Sequence, residues 1–192
     1  MSKQFFFTGE ELKRGLIGTL EIACFLKHGV ARFAKTTDEV MRSFWIVLLT
    51  FPLNCSTVLF LSTQNDGMSD LPAPELIYLE AVRVVFVTLF NVLAVYTLCI
   101  IHKRLEYFPR CLAGMNWLGI IPAIVETPIH IMAWTGAHTL DEIAPLEMIF
   151  LVYTLSMSGF FIMHSLNIRW PMAAYVVFLI TCVEEITRLT FF

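Results

Sequence analysis

The chain has 192 residues, of which 57% are hydrophobic and 15% charged, and its mean hydropathy is +0.72. A soluble domain carries about a quarter charged residues, so the composition excludes an ordinary soluble domain and places the chain among integral membrane proteins. The formal charge of −3 conceals an uneven distribution, because seven of the thirteen Lys and Arg precede residue 43.

The opening stretch "MSKQFFFTGEELKRG" has only three consecutive Phe before charges resume, so no cleaved secretory signal is expected. Residues 9–35 follow as a separate element. Thr8 and Glu11 have capping-box spacing. At helical period Leu12, Leu16, Leu20, Ala23, Leu26 and Val30 share one side, while Glu10, Arg14, Glu21, His28 and Arg32 share the other. This predicts an amphipathic helix on the cytoplasmic face, with Lys13, Arg14, Lys27, Arg32 and Lys35 near anionic headgroups. The alternative is a helix docked on the protein's own loops. Its basic residues are interleaved with acids against a membrane, so no nucleic-acid partner is expected.

A hydrocarbon core needs about 20 apolar residues in helical form. Five segments meet that length: 42–63, 75–102, 110–135, 145–166 and 170–191. The expected fold is therefore all-α and polytopic, with a cytoplasmic segment at 1–41 and a five-helix transmembrane domain at 42–192. Lys103, Arg104, Arg110 and Arg169 sit in alternate connections, while loops 64–74 and 136–144 hold acids and no Lys or Arg. Positive loops stay inside, which predicts a cytoplasmic N-terminus and an external or luminal C-terminus.

Polar residues recur inside these spans. Asn54, Glu80, Arg83, Glu126, His130, Tyr153, Thr154, Glu184, Glu185 and Arg188 fall at similar depth, toward the outer side. Each charge costs about 2.5–3.5 kcal/mol at the centre of a span unless it pairs or meets water. Spacing of three or four suggests the pairs Glu80–Arg83, Glu126–His130 and Glu184 or Glu185 with Arg188. Pro122 and Pro128 flank Glu126 and remove helix hydrogen bonds to Leu118 and Ile124, so the third span is expected to bend there. The resulting cluster reads as structural glue, as a ligand or ion pocket, or as a metal site joining Glu126 and His130 with Glu184 and Glu185. His102 and His164 are conceivable haem ligands, although interfacial histidines are commoner.

The cysteines Cys24, Cys55, Cys99, Cys111 and Cys182 lack the spacing of a disulfide framework or zinc site and read as apolar fillers. No nucleophile elbow, HExxH or phosphate-cradling glycine loop is present. No enzymatic activity and no cofactor are expected.

The entry to the first span, "MRSFWIVLLTFPLN" (41–54), combines a basic residue, the pair Phe44–Trp45 and Pro52. With the cytoplasmic N-terminal segment and five closely spaced spans, it resembles the Yip domain of small membrane proteins. The resemblance covers most of residues 38–192 and implies a five-span layout, with eukaryotic members linked to vesicle trafficking and Rab-type GTPases. The chain lacks DLYGP-like and GYK-like signatures and a long polar N-terminal tail, so no site residues carry over.

Two functions follow as expectations. The leading one is a non-enzymatic scaffold, membrane-organising factor or accessory subunit, with the lipid bilayer and other membrane proteins or a second copy as partners. Small residues such as Ala113, Gly114 and Gly159 permit close helix contacts. The other is a small transporter or ion- or proton-conducting protein using the polar cluster.

Overall fold

A computed structural model describes residues 6–34, 36–64 and 71–191. Lys35, Asp66 and Asp70 lie outside the described residues. The described chain is helical throughout, with helices α1 (Gly9–Ala23), α2 (Thr37–Gln64), α3 (Ala73–Ile101), α4 (Phe108–Leu118), α5 (Ile120–Trp134), α6 (Leu140–Leu166) and α7 (Trp170–Phe191). Four stretches are long and apolar enough to cross a membrane: Thr37–Phe60, Ala73–Ile101, Leu105–Trp134 and Asp141–Leu166. The molecule therefore fits a multi-pass membrane protein. The fifth expected span, α7, is not among these four, and it carries Glu184, Glu185 and Arg188 in its last third.

Short connections make consecutive long helices antiparallel. Helix α2 packs on α3, α3 on α7, α7 on α6, α6 on α4 and α5, and these return to α2, closing a ring. Short α4 is drawn inward, burying Cys111, Leu112, Ala113, Gly114, Trp117 and Leu118. The end of the bundle where α2 begins and α3 ends is here called the proximal end, and the opposite one the distal end.

Residues 9–35 do not form one helix, contrary to the sequence expectation. Helix α1 starts at a complete Thr8–Glu11 capping box and stops where Phe25 adopts φ 57°. The chain then returns through a short 3-10 helix, Lys27–Arg32. Periodicity alone missed this turn because Leu26 and Val30 continue the apolar spacing after the chain has reversed. What fixes the hairpin is tertiary. Gly29 lies so close to α1 that a Cβ there would stand 2.9 Å from the Gly18 carbonyl oxygen. Arg32 donates two hydrogen bonds to Glu21, of 2.5 and 2.6 Å, and His28 lies 3.4 Å from the same carboxylate.

The hairpin docks on the proximal half of the bundle. Its small-residue face, Gly15, Gly18, Thr19 and Ile22, is buried, Phe33 enters the main core, and the Tyr153 hydroxyl donates a 2.7 Å hydrogen bond to the Ala23 carbonyl. Arg14 pairs with Glu39 at 2.8 Å, and Arg42 hydrogen-bonds the Glu11 carboxylate. Leu12, Leu16 and Leu20, the stripe expected to define the apolar face, remain exposed. Of the basic residues assigned to the membrane surface, Arg14 and Arg32 are tied to Glu39 and Glu21, whereas Lys13 and Lys27 are exposed.

Two boundaries also move. The fourth expected span, 145–166, begins earlier, because Thr139 and Glu142 form a second capping box that starts α6 at Leu140. Pro145 is accommodated in the opening turns. The third span breaks at Gly119, between α4 and α5, rather than around Glu126. Pro122 leaves the Leu118 carbonyl without its helical donor and weakens the ladder just there, while α5 continues through Pro128.

Candidate functional site

The ring of helices encloses a cavity of about 500 Å³. Every long helix contributes to its wall: Val47, Thr50 and Asn54 from α2, Arg83, Val87 and Asn91 from α3, Met115 and Asn116 from α4, Glu126 from α5, Thr154 and Ser158 from α6, and Glu184, Glu185 and Arg188 from α7. Short polar side chains, Thr50 and Asn54 of α2, Thr88 and Asn91 of α3, and Thr154 and Ser158 of α6, line this level beside Leu151 and Leu155, where the α4–α5 stretch breaks at Gly119. Glu126 lies eight residues from the end of α5, about 12 Å along the helix, so the acidic part of the wall is well inside the bundle.

The cavity is closed proximally. Leu112, Phe161 and Ile162 form its floor and are almost fully buried. Distally the wall ends at Glu185 and Arg188, whose side chains are about half exposed, 51% and 50%. Access is therefore from the distal side.

The polar residues singled out from sequence divide into three groups. Glu80 and Arg83 form a two-pronged ion pair, with Nε to Oε2 at 2.7 Å and Nη2 to Oε1 at 2.8 Å. Glu80 is 0% exposed, so this pair holds the α3 wall while Arg83 faces the cavity. Glu185 and Arg188 pair at 2.7 Å at the distal mouth. Glu184 does not join them. It points toward α3, beside Asn91 and in the electrostatic reach of Arg83, and it senses Glu126 from across the cavity.

Glu126 and His130 do not converge. His130 Nε2 lies 3.4 Å from Glu147 of α6, and its Nδ1 lies 3.3 Å from the Thr57 hydroxyl of α2. The imidazole therefore cross-links three helices outside the cavity lining, and Glu126 alone of the two faces inward. A helical spacing of four puts two side chains on one face, but neighbouring helices decide which partner each reaches. Glu147 was missed from sequence because it stands near a helix start, where an acid is commonplace.

Tyr153 is also diverted, since its hydroxyl serves the hairpin. The proposed joint metal set of Glu126, His130, Glu184 and Glu185 is not assembled, and no group of three or more His, Cys, Asp or Glu side chains is placed to hold a metal among the described residues. His164 packs edge-on against Phe160 with centroids 4.5 Å apart, and His102 caps the end of α3.

Outside the membrane helices the electrostatics are those of a stapled hairpin. The hydrogen bond from Arg32 is the largest influence holding the Glu21 carboxyl below its ordinary range. Partial burial pushes Glu11 upward, but Arg42 and the Thr8 backbone outweigh it and leave its carboxyl lowered.

No family profile, curated protein or solved structure matches the chain. The likeness to the Yip domain thus stands only on the layout and the 41–54 stretch.

Proposed function

We propose that the protein is a five-span, non-enzymatic membrane protein that admits a small solute into its central cavity from the distal face, as a small transporter or conducting protein does. The observation that carries this reading is the 500 Å³ cavity with Glu126 and Glu184 on opposing walls. Ionisable side chains inside a membrane bundle are expensive and mark solute or ion pathways, and cavities of about 300–1,000 Å³ suit small organic ligands. Thr50 and Thr154 direct their hydroxyl protons to carbonyls of their own helices, which suits a binding wall better than a nucleophile.

Helix α7 supplies the fifth crossing. Its 22 residues reach about 33 Å, and it lies between α3 and α6, with its charged side chains at the distal mouth. The proximal end gathers Lys27, Arg42, Lys103, Arg104, Arg110 and Arg169, which supports a cytoplasmic proximal face and a distal face that is external or luminal.

The test is a flux measurement on protein reconstituted in liposomes under an imposed pH or ion gradient. Current above that of protein-free liposomes, lost in folded Glu126→Gln and Glu184→Gln, is expected. Absence of current in the wild type contradicts transport. A membrane-organising scaffold has separate support in the exposed Leu12, Leu16 and Leu20, and predicts that Leu16→Gln disturbs function more than Glu126→Gln.

A further inference from the structure

The N-terminal hairpin is let into the side of the bundle rather than laid across its proximal end. Its tip meets the midpoint of α6. The Tyr153 hydroxyl donates to the Ala23 carbonyl, and the Phe25 ring meets Tyr153 and Phe160 edge-on, with centroids 6.0 and 5.5 Å apart. Tyr153 lies thirteen residues from either end of α6, about 20 Å along the helix. Earlier in α1, Gly15 backs onto the ring of Trp117, nine residues into α4, or about 14 Å. The return segment meets α6 closer to the proximal end, where Phe33 packs on Phe161. Tyr153 and Phe161 are eight residues apart, about 12 Å of rise. The hairpin therefore stands on edge, with α1 on the distal side and the return segment on the proximal side.

The two edges differ in chemistry. At 100° per residue, Leu12, Leu16 and Leu20 form one flank of α1, and Arg14 and Glu21 form the other. Arg32 and His28 of the return segment meet Glu21, so the charged flank is proximal and the leucine flank distal. Leu12, Leu16 and Leu20 are 44%, 41% and 62% exposed.

What adjoins this flank is the outer surface of the membrane bundle. Leu48 and Leu49 of α2 and Leu146, Ile149 and Val152 of α6 are exposed on either side of it, and beyond Val152 no large apolar side chain of α6 is exposed. The hairpin packs over that half of α6 through Phe25 and Phe33. It is tied to the start of α2 by the Arg14–Glu39 and Arg42–Glu11 pairs, and it takes the perimeter position that α4, drawn inward, leaves open. The leucine flank continues the apolar surface of α2 and α6 at a level deeper than the roughly 5–10 Å reached by a helix resting on the interface. Exposed Lys13 and Lys27 have stems long enough to run along such a surface and lift their ammonium groups toward anionic phosphates.

We infer that the hairpin is an in-plane wedge in the proximal leaflet, with the Leu12, Leu16 and Leu20 flank against lipid acyl chains and the Glu21, Arg32 and His28 edge at headgroup level. The segment thus lies within the leaflet, not on the cytoplasmic surface. This depends on the bundle spanning a membrane and is independent of what the cavity admits.

The experiment is collisional spin-label relaxation on the full chain in lipid nanodiscs. In a cysteine-free background, single nitroxides are placed at Leu16→Cys, Leu20→Cys and His28→Cys, with Leu49→Cys as the lipid-facing reference and Lys103→Cys as the aqueous one. Oxygen, which concentrates among acyl chains, and a water-soluble nickel complex are the two relaxants, and thermal melting checks each fold. The expected result is an oxygen-to-nickel ratio at Leu16→Cys and Leu20→Cys equal to that at Leu49→Cys, falling toward the Lys103→Cys value at His28→Cys. A ratio at Leu16→Cys and Leu20→Cys equal to that at Lys103→Cys overturns the inference in favour of a hairpin in water. Low access to both relaxants overturns it too, and spin–spin broadening that disappears on dilution with unlabelled protein then identifies a second copy as the cover. The unaltered chain gives an independent reading: a phospholipid with a diazirine midway along its acyl chain is expected to label residues 9–26 on illumination, and labelling confined to the long helices contradicts the wedge.

Discussion

The ring of Phe33 meets the ring of Phe161 edge-on, with centroids 5.4 Å apart and planes at 86°. Both side chains are almost wholly buried, and Phe161 belongs to the cavity floor. The N-terminal hairpin thus reaches the proximal seal of the cavity directly. Truncating a buried Phe typically costs about 3–5 kcal/mol. Phe33→Ala is expected to lower the melting temperature in detergent and to make the 24–35 segment the first site of limited proteolysis. An unchanged melt and digestion pattern would show that the hairpin is not seated as described.

Gly114 backs the same ring from α4. A Cβ at that position would stand 2.1 Å from Cζ of the fully buried Phe161. Gly114→Ala improves helix propensity by about 1 kcal/mol, but overpacking here costs about 1–3 kcal/mol, so net destabilisation is expected. Thermal melting decides the sign, with Gly9→Ala as control, since nothing lies within 4 Å of a Cβ there.

Glu80 and Arg83 form the buried ion pair of the α3 wall. Removing one partner leaves the other charge uncompensated, typically at about 3–5 kcal/mol, while replacing both with apolar residues is often neutral. Glu80→Gln is therefore expected to destabilise more than the double variant Glu80→Leu/Arg83→Met. A double-mutant cycle in detergent tests this, and additive losses would contradict it.

The hairpin is expected to loosen in acid. Glu21 is held below the ordinary carboxylate value of 4.5, first by the hydrogen bond from Arg32. A carboxyl with a depressed folded value stabilises the fold fully above its unfolded value, and that contribution disappears as pH falls through the folded one. Fluorescence of Trp117, which packs against Phe7, should report undocking below about pH 4.5. Arg32→Gln lacks the contribution already at neutral pH and should lose less on acidification.

The proposed five-span arrangement would put each connection on a defined face. In a cysteine-free background, His138→Cys and Thr190→Cys should react with a membrane-impermeant thiol reagent from one side, and Lys103→Cys from the other. Labelling of Thr190→Cys on the same side as Lys103→Cys would leave α7 short of a crossing.

Much of the architecture was legible in the chain. Apolar length marked α2, α3, α6 and the α4–α5 stretch, and the Thr8–Glu11 spacing announced the start of α1 through local hydrogen bonds, whereas the Thr139–Glu142 box that starts α6 went unread. The hairpin turn was not legible, because the forces that reverse the chain at Phe25 are tertiary: Gly18 against Gly29, Arg32 on Glu21 and Tyr153 on the Ala23 carbonyl. The same limit applies to the site. Spacing placed Glu126 and His130 on one helix face, but only the packing of α2 and α6 sends His130 to Thr57 and Glu147. The cavity itself had no direct sequence signature beyond the short polar residues Thr50, Asn91, Asn116 and Ser158, ordinary among membrane helices taken singly.

The central claim is a solute cavity open on the distal face and sealed on the proximal one, and accessibility of Ser158 tests it most directly. In the cysteine-free background, Ser158→Cys in oriented proteoliposomes is exposed to a small cationic thiosulfonate reagent from each side in turn. Modification from the distal face alone is the result expected. No modification from either side, or equal modification from both, would contradict the account.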